Sequence, residues 1–216
     1  MAQAQNTHVS AGNTPVQTAV GAQVAQTLKP KVADNQTALL ALLKVEAEAR
    51  DATSERDLVL LMANETRKLT RARQIFVVMP GLRQLYEVQG VSSIPVVDRS
   101  APLIIFIERL VRAAAKAKTL NAVNVLKMPP SGTDTVADSY PFRELVWLPL
   151  KHKTGTLKGG LVLAREQAWA DQDLVIAARL SSAYAHALQA LKGPDRNIAR
   201  KLLSLSRWHA GAALAV

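Results

Sequence analysis

The spacing of apolar positions divides the chain into a polar opening, a long patterned middle and a basic end. Residues 1 to about 33 are rich in Gln, Ala, Thr and Asn; with so little large apolar surface to offset chain ordering, they read as a disordered leader. From Asp34, a fitting N-cap, Leu39, Leu40, Leu42, Leu43, Val45 and Ala49 recur at helical spacing and predict a helix of about four turns. A second start signal at Ser54, with Asp57 three residues on, predicts a helix to about Leu69. Its stripe is Leu58, Leu61, Met62 and Leu69, with Glu65, Arg67 and Lys68 toward water. The β-branched run Gln74–Met79, closed by Pro80-Gly81, predicts the first strand of a hairpin returning over Gln84–Val91. Pro102 suits the first turn of a helix over Leu103–Ala117, with Ile104, Ile107, Leu110 and Val111 on the buried face and Glu108 in reach of Arg112. Ala122–Leu126 is a strand candidate, and the stretch from Pro129 to Pro141 reads as loop. Two antiparallel strands, Glu144–Leu150 and Lys158–Ala164, follow around Thr154-Gly155-Thr156. Asp171 and Asp173 open a last helix, striped by Leu174, Ala177, Leu180, Tyr184, Leu188 and Leu191, which stops at Gly193-Pro194.

This order fits an α+β layer fold, an antiparallel sheet with the helices gathered on one side. It places one domain over 34–192, after the leader 1–33 and before a basic segment, 193–216. No repeat with a period of 20 to 50 residues is visible, so solenoids and propellers are unsupported.

Composition changes the picture in two ways. The chain has no cysteine, which excludes disulfides, thiolate zinc sites, iron–sulfur clusters and cysteine nucleophiles and leaves a reducing cytoplasm as the expected compartment. Its 216 residues carry a formal charge of +10, which draws polyanions: nucleic acid or the anionic inner face of a membrane. Aromatics make up only 4% and are scattered, so no stacking platform for single strands is visible and nucleic acid is disfavoured. The N-terminus lacks a basic start followed by an apolar core, so it does not read as a secretory signal. At the other end Arg196, Arg200, Lys201 and Arg207 precede Trp208 and small apolar residues to Val216. Basic flank, interfacial tryptophan and apolar entry read as a juxtamembrane segment and the start of a membrane anchor, with the basic side cytoplasmic, at about half the spanning length. An amphipathic C-terminal helix packing on the domain or a partner is the other reading.

The pieces Val146-Trp147-Leu148-Pro149-Leu150, Gly159-Gly160-Leu161-Val162-Leu163 and Trp169-Ala170-Asp171-Gln172-Asp173-Leu174 resemble the closing half of a GAF domain. Residues 40 to 80 resemble the family's entry, so the resemblance covers about residues 36 to 191. It implies a GAF/PAS-like central antiparallel sheet with flanking helices and a sensory or regulatory role without catalysis. More narrowly, Leu61-Met62-Ala63-Asn64-Glu65-Thr66-Arg67-Lys68-Leu69, Val96-Val97-Asp98-Arg99 and Tyr184-Ala185-His186-Ala187-Leu188 resemble the cytoplasmic GAF-like region of HlyD-like membrane-fusion or efflux adaptors, which implies an inner-membrane location. The family's functional residues do not carry over: the bilin-binding and methionine-sulfoxide-reducing kinds need cysteine, and the Asn-Lys-Xaa-Phe-Asp-Glu signature of the cyclic-nucleotide kind is missing.

The remaining chemistry is sparse. His8, His152, His186 and His209 have no metal-ligand spacing, so no metal is assigned, and no cofactor either. His186, on the last helix, reads as a hydrogen-bonded structural histidine in preference to a heme-type axial ligand. Gly159-Gly160 open a strand rather than a phosphate loop, which favours close backbone packing or a bulge. There is no Gly-Xaa-Ser-Xaa-Gly elbow. No catalytic residue is assigned, and an enzyme is not expected. A small unknown ligand would sit between the sheet face and the segment 98–142, with Tyr86, Phe106, Arg109, Tyr140 and Trp147 as candidate lining, although residues of each kind more often serve as plain core or surface. Arg109 is the most telling, because a buried guanidinium needs an anionic partner. The apolar stripes of the first and last helices suit a homodimer bundle, or cover for the sheet within one protomer. The functional expectation is a sensory or scaffolding module at a membrane adaptor. The alternative is a soluble basic regulator binding nucleic acid or another protein.

Overall fold

A computed structural model of the chain describes residues 36–81, 85–142 and 144–192. The predicted leader 1–33, the Asp34 cap, Gln84 and the basic segment 193–216 with Arg196, Arg200, Lys201 and Arg207 lie outside the described residues. Contacts divide the chain into units of Met1–Leu40 and Ala41–Val216; among the described residues the first contributes only the opening turn of helix α1 (residues 36–51).

Of the predicted α1 stripe, Val45 and Ala49 are buried in the core and Leu42 packs against it, whereas Leu39, Leu40 and Leu43 are exposed. Helix α2 (Glu55–Thr70) begins as predicted: Ser54 Oγ accepts from Asp57 N at 3.1 Å while its hydroxyl donates to the Asp57 carboxylate at 2.6 Å. It ends at Arg71, which takes the left-handed conformation at φ 52°. Its buried stripe is Leu58, Val59, Met62, Ala63, Thr66 and Thr70, rotated from the expected one to include two threonines. Both are satisfied, since Thr70 Oγ1 donates to Thr66 O at 2.6 Å and Thr66 Oγ1 meets the buried Tyr184 hydroxyl at 3.1 Å.

Strands β1 (Gln74–Pro80), β2 (Tyr86–Val91), β3 (Asn124–Leu126), β4 (Glu144–Lys151) and β5 (Leu157–Arg165) form one sheet in the order β2-β1-β5-β4-β3. Every pairing is antiparallel. β1 and β2 fall out of register between Val77 and Val78, where Gln89 is the extra residue of a bulge. Strand alternation sends the two faces of β1, β4 and β5 in opposite directions. Ile75, Val77, Met79, Val146, Leu148, Leu150, Leu161 and Leu163 join α1, α2 and helix α5 (Asp171–Lys192) in one core. Phe76, Val78, Leu145, Trp147, Val162 and Ala164 join helix α3 (Pro102–Lys116) in the other.

The fold is therefore α+β with flanking helices, but they are not gathered on one side: α3 covers the second face. The reason is legible in the central strands, which are apolar at nearly every position, so both faces need cover. A second correction falls in the expected loop of 129–141, where helix α4 (Thr135–Ser139) forms because the Asp134 carboxylate accepts from Val136 N and Ala137 N at 3.0 and 3.2 Å.

α1 is tied to α5 by an ion pair. Buried Glu46 takes Arg179 Nε at 2.5 Å, while the Arg179 side chain is mostly exposed. The hydrogen bond from Arg179, aided by its charge and by that of Arg50, holds the Glu46 carboxyl below its ordinary value of 4.5 against the opposing effect of burial. A carboxylate with a lowered folded pKa contributes stability that is full above its unfolded value and lost as pH falls through the folded one. Glu46→Gln should therefore flatten the acid limb of stability against pH, as read by urea midpoints, while changing the neutral limb only by a constant offset. An acid limb identical to that of the wild type would remove Glu46 from that role.

Candidate functional site

The face covered by α3 is where a ligand is expected. The segment leading to it, residues 92–101, is shaped by local polar bonds: Asp98 Oδ1 accepts from Ser100 N at 2.9 Å and from Ser100 Oγ at 2.6 Å, and Ala101 N donates to Asp98 O at 3.2 Å. The two bonds from Ser100, first its hydroxyl and then its N–H, hold the Asp98 carboxyl below its usual range. Pro102 then starts α3 with no side-chain cap. On the far side Glu108 Oε1 accepts from Val88 N at 2.9 Å and Glu108 Oε2 from Arg112 at 2.6 Å, the predicted pair, which locks α3 to β2.

Beside the Asp98 turn lies a recess of about 250 Å³. Phe76 and Val91 form its floor on the sheet, Val97 and Ile104 its walls, and Asp98 and Tyr140 also line it. A second recess of about 410 Å³ lies below Pro129, Ser131 and Asp138, and Tyr140 lines it too. A third, about 380 Å³, lies outside the β2 edge among Glu55, Arg56, Gln89 and Arg99. It adjoins the first recess through Ile94, Val96 and Val97, which line both, and differs from it in the charged walls that Glu55, Arg56 and Arg99 supply.

The predicted lining residues are dispersed over this face. Tyr140 is at the recess, its ring stacked on Phe142 at 5.9 Å with 7° between planes. Trp147 and Phe106 are instead buried core beneath it. The Trp147 indole donates to Leu120 O at 2.8 Å, so its one polar atom is satisfied within the chain. Tyr86 packs edge-on to Trp147, with centroids 6.2 Å apart and planes at 85°, and partial burial raises its phenol pKa. Arg109 corrects the expectation: it is not buried. Its side chain is 58% exposed, it pairs with Asp134 of its own chain, and its guanidinium lies 5.4 Å from the centroid of Phe106. The anionic partner it needed is a helix cap, so no ligand charge is required there.

Sequence reading missed Phe76, Val91, Asp98 and Ile104 as lining. Alternation along β1 was the available signal for Phe76, because Phe76 and Val78 share the α3 face. His186 is exposed on α5, so it is neither a buried structural histidine nor an axial ligand facing this site. Among the described residues no group of three or more His, Cys, Asp or Glu side chains could hold a metal ion. No helix among them is long and apolar enough to cross a membrane.

No protein-family model matches the sequence, and a search of the curated proteins found no match. Solved structures do match. The GAF domain of an Acinetobacter phosphoenolpyruvate-protein phosphotransferase aligns with a TM-score of 0.50 at 13% identity, over 69% of this chain and 90% of that one. The chromophore-binding domain of an unusual bacteriophytochrome from R. palustris aligns at 0.53 and 10%, over 73% of this chain and 62% of that one. A far-red absorbing protein with bound biliverdin IXa aligns at 0.51 and 11%, over 71% of this chain and 99% of that one. What this chain shares with them is the fold: a GAF-type antiparallel sheet with flanking helices.

Proposed function

We propose that the chain is a non-catalytic GAF-fold sensory or regulatory domain that takes a small, largely apolar ligand in the recess between β1, residues 92–101 and the start of α3. The carrying observation is that recess, with an apolar floor and one carboxylate beside it on the α3 face. Its volume of about 250 Å³ is below the usual range for drug-sized ligands, roughly 300 Å³ and above, which favours something small. With no cysteine, a bilin thioether has no attachment point. Placement at the cytoplasmic face of a membrane-fusion or efflux adaptor, as a homodimer, is the finer reading, supported by the residue resemblance and by the basic segment ending in Arg207 and Trp208.

The ligand reading is tested by a thermal-shift screen of small neutral and cationic compounds, chiefly aromatic amines, indoles and short alkylamines. A specific binder at a hundred times its Kd stabilises by about 2.7 kcal/mol, hence a rise of several degrees. Val97→Trp, which fills the recess, should abolish the rise while leaving the unliganded melting temperature near the wild type. A binder indifferent to Val97→Trp, or none at all, would count against the site. The membrane reading is tested separately by fractionating cells that express the full chain. Reversing Arg196, Arg200, Lys201 and Arg207 to Glu should move the protein to the soluble fraction, and a wild type found wholly soluble would reject it.

A further inference from the structure

Two stretches, 109–133 and 145–165, contain no Asp or Glu but hold five and four Lys or Arg residues. The fold places them side by side. β3 pairs with β4 through Asn124 and Trp147 and through Leu126 and Leu145, and Asn124 Nδ2 donates to Thr119 Oγ1 at 3.2 Å, tying the turn after α3 to the same strand. Val123 and Lys151 line one shallow recess with Ala178 and Ser182 of α5. The β3 edge and the β4–β5 turn thus form one margin, bearing Lys118, Lys127, Lys151 and Lys153, all exposed.

None of these four lysines pairs with a carboxylate among the described residues. The carboxylates that bound the two stretches are already engaged: Glu108 by Arg112, Asp134 by Arg109, Glu166 by Arg73, and Glu144 by Trp169 N. The four lysines thus form no direct ion pair among the described residues, and Glu144, whose bond to a neutral amide leaves it charged, is the one carboxylate beside them without a cationic partner. Two apolar side chains stand out from it, Val123 at 45% and Val125 at 59% exposure.

We infer that this margin docks on an anionic lipid surface. Lysine ammonium groups suit attraction to acidic headgroups, each worth about 1 kcal/mol near such a surface, while the two valines supply apolar contact at the interface. Nucleic acid fits less well. Arg109, Arg112 and Arg165, the residues of this region able to grip phosphate bidentately, are held by Asp134, Glu108 and Asp173, and the one aromatic residue of the two stretches, Trp147, is buried. The inference goes beyond the ligand reading and survives its failure, because it concerns a different surface. It adds to the basic segment a contact made by the folded domain itself.

The test is co-sedimentation of the full chain with vesicles of phosphatidylcholine alone and of phosphatidylcholine mixed with phosphatidylserine. Binding is expected only to the mixed vesicles, weakening with salt. The triple variant K118E/K127E/K151E should lower the apparent affinity at least about tenfold with an unchanged melting temperature, since all three side chains are exposed. K44E/K68E/K192E, with the same charge change away from the margin, should have a much smaller effect. R196E/R200E/K201E separates the basic segment, and the loss caused by the margin variant should persist in that background. Equal losses from the margin and control triples would overturn the proposal, as would equal binding to neutral vesicles. So would tighter binding to duplex DNA than to the mixed vesicles at the same ionic strength.

Discussion

Trp147→Ala is expected to cost about 3–5 kcal/mol of folding stability, the range for removing a large buried aromatic. Trp147 is fully buried at the centre of the α3-side core, its indole N–H is bonded to Leu120 O, and it is the edge-on partner of Tyr86. Alanine would leave a cavity, strand the Leu120 carbonyl and unpack Tyr86 at once. Urea titration followed by far-ultraviolet circular dichroism should show a much lower midpoint with a similar slope. A loss below about 1.5 kcal/mol, the level of a well-tolerated core swap, would mean that the indole is not the keystone of that face.

The second large effect comes from Gly160, the residue under the indole ring. Trp147 pairs across β4 and β5 with Val162, and the indole ring reaches back over Gly160, where an added Cβ would fall against the ring itself. Glycine is required there by closeness rather than by turn geometry. At Gly159 both reasons act, since φ is +146° and an added Cβ would lie 2.6 Å from Val78 O. Gly160→Ala should therefore cost about 1–3 kcal/mol through overpacking. The diagnostic is coupling: in the background of Trp147→Phe, whose ring is shorter, the same alanine should cost markedly less, with a coupling energy of about 1 kcal/mol or more. Additive losses would place the glycine's role somewhere other than against the indole.

These two residues also mark the boundary of what could be read in advance. Helix starts were legible because they rest on local chemistry: Ser54 with Asp57, Pro102, and Asp171 with Asp173 all stand where expected. The two hairpins were legible from apolar runs flanking turn residues, and the resemblance of residues 36–191 to a GAF domain agrees with the fold. The second helical layer was not foreseen, because a strand apolar on both faces, such as Ile75-Phe76-Val77-Val78, gives the same sequence signal whether both faces meet helices or one meets a partner. α4 was hidden among prolines and small polar residues, although Asp134 four residues before Asp138 is a usable capping signal.

The site was less legible than the fold. Of the aromatic candidates, Trp147 and Phe106 build the core and Tyr86 leans on it; only Tyr140 reaches the recess. Arg109 reads from the sequence as a buried guanidinium in need of an anion, yet its side chain is exposed and pairs with the cap of α4. Sequence spacing gives the face of a helix, not how far a long side chain extends along it.

The central claim is that the α3 face of this GAF-type fold holds a ligand recess, and it is tested most directly by titrating a hit from the thermal-shift screen into ¹⁵N-labelled protein and following amide shifts. Shifts should cluster at Phe76, at residues 91–104 and at Tyr140, with the amides of Leu58–Thr66 and Ala177–Leu188 unmoved. Shifts confined to those two helices, or spread evenly over both faces, would contradict the claim.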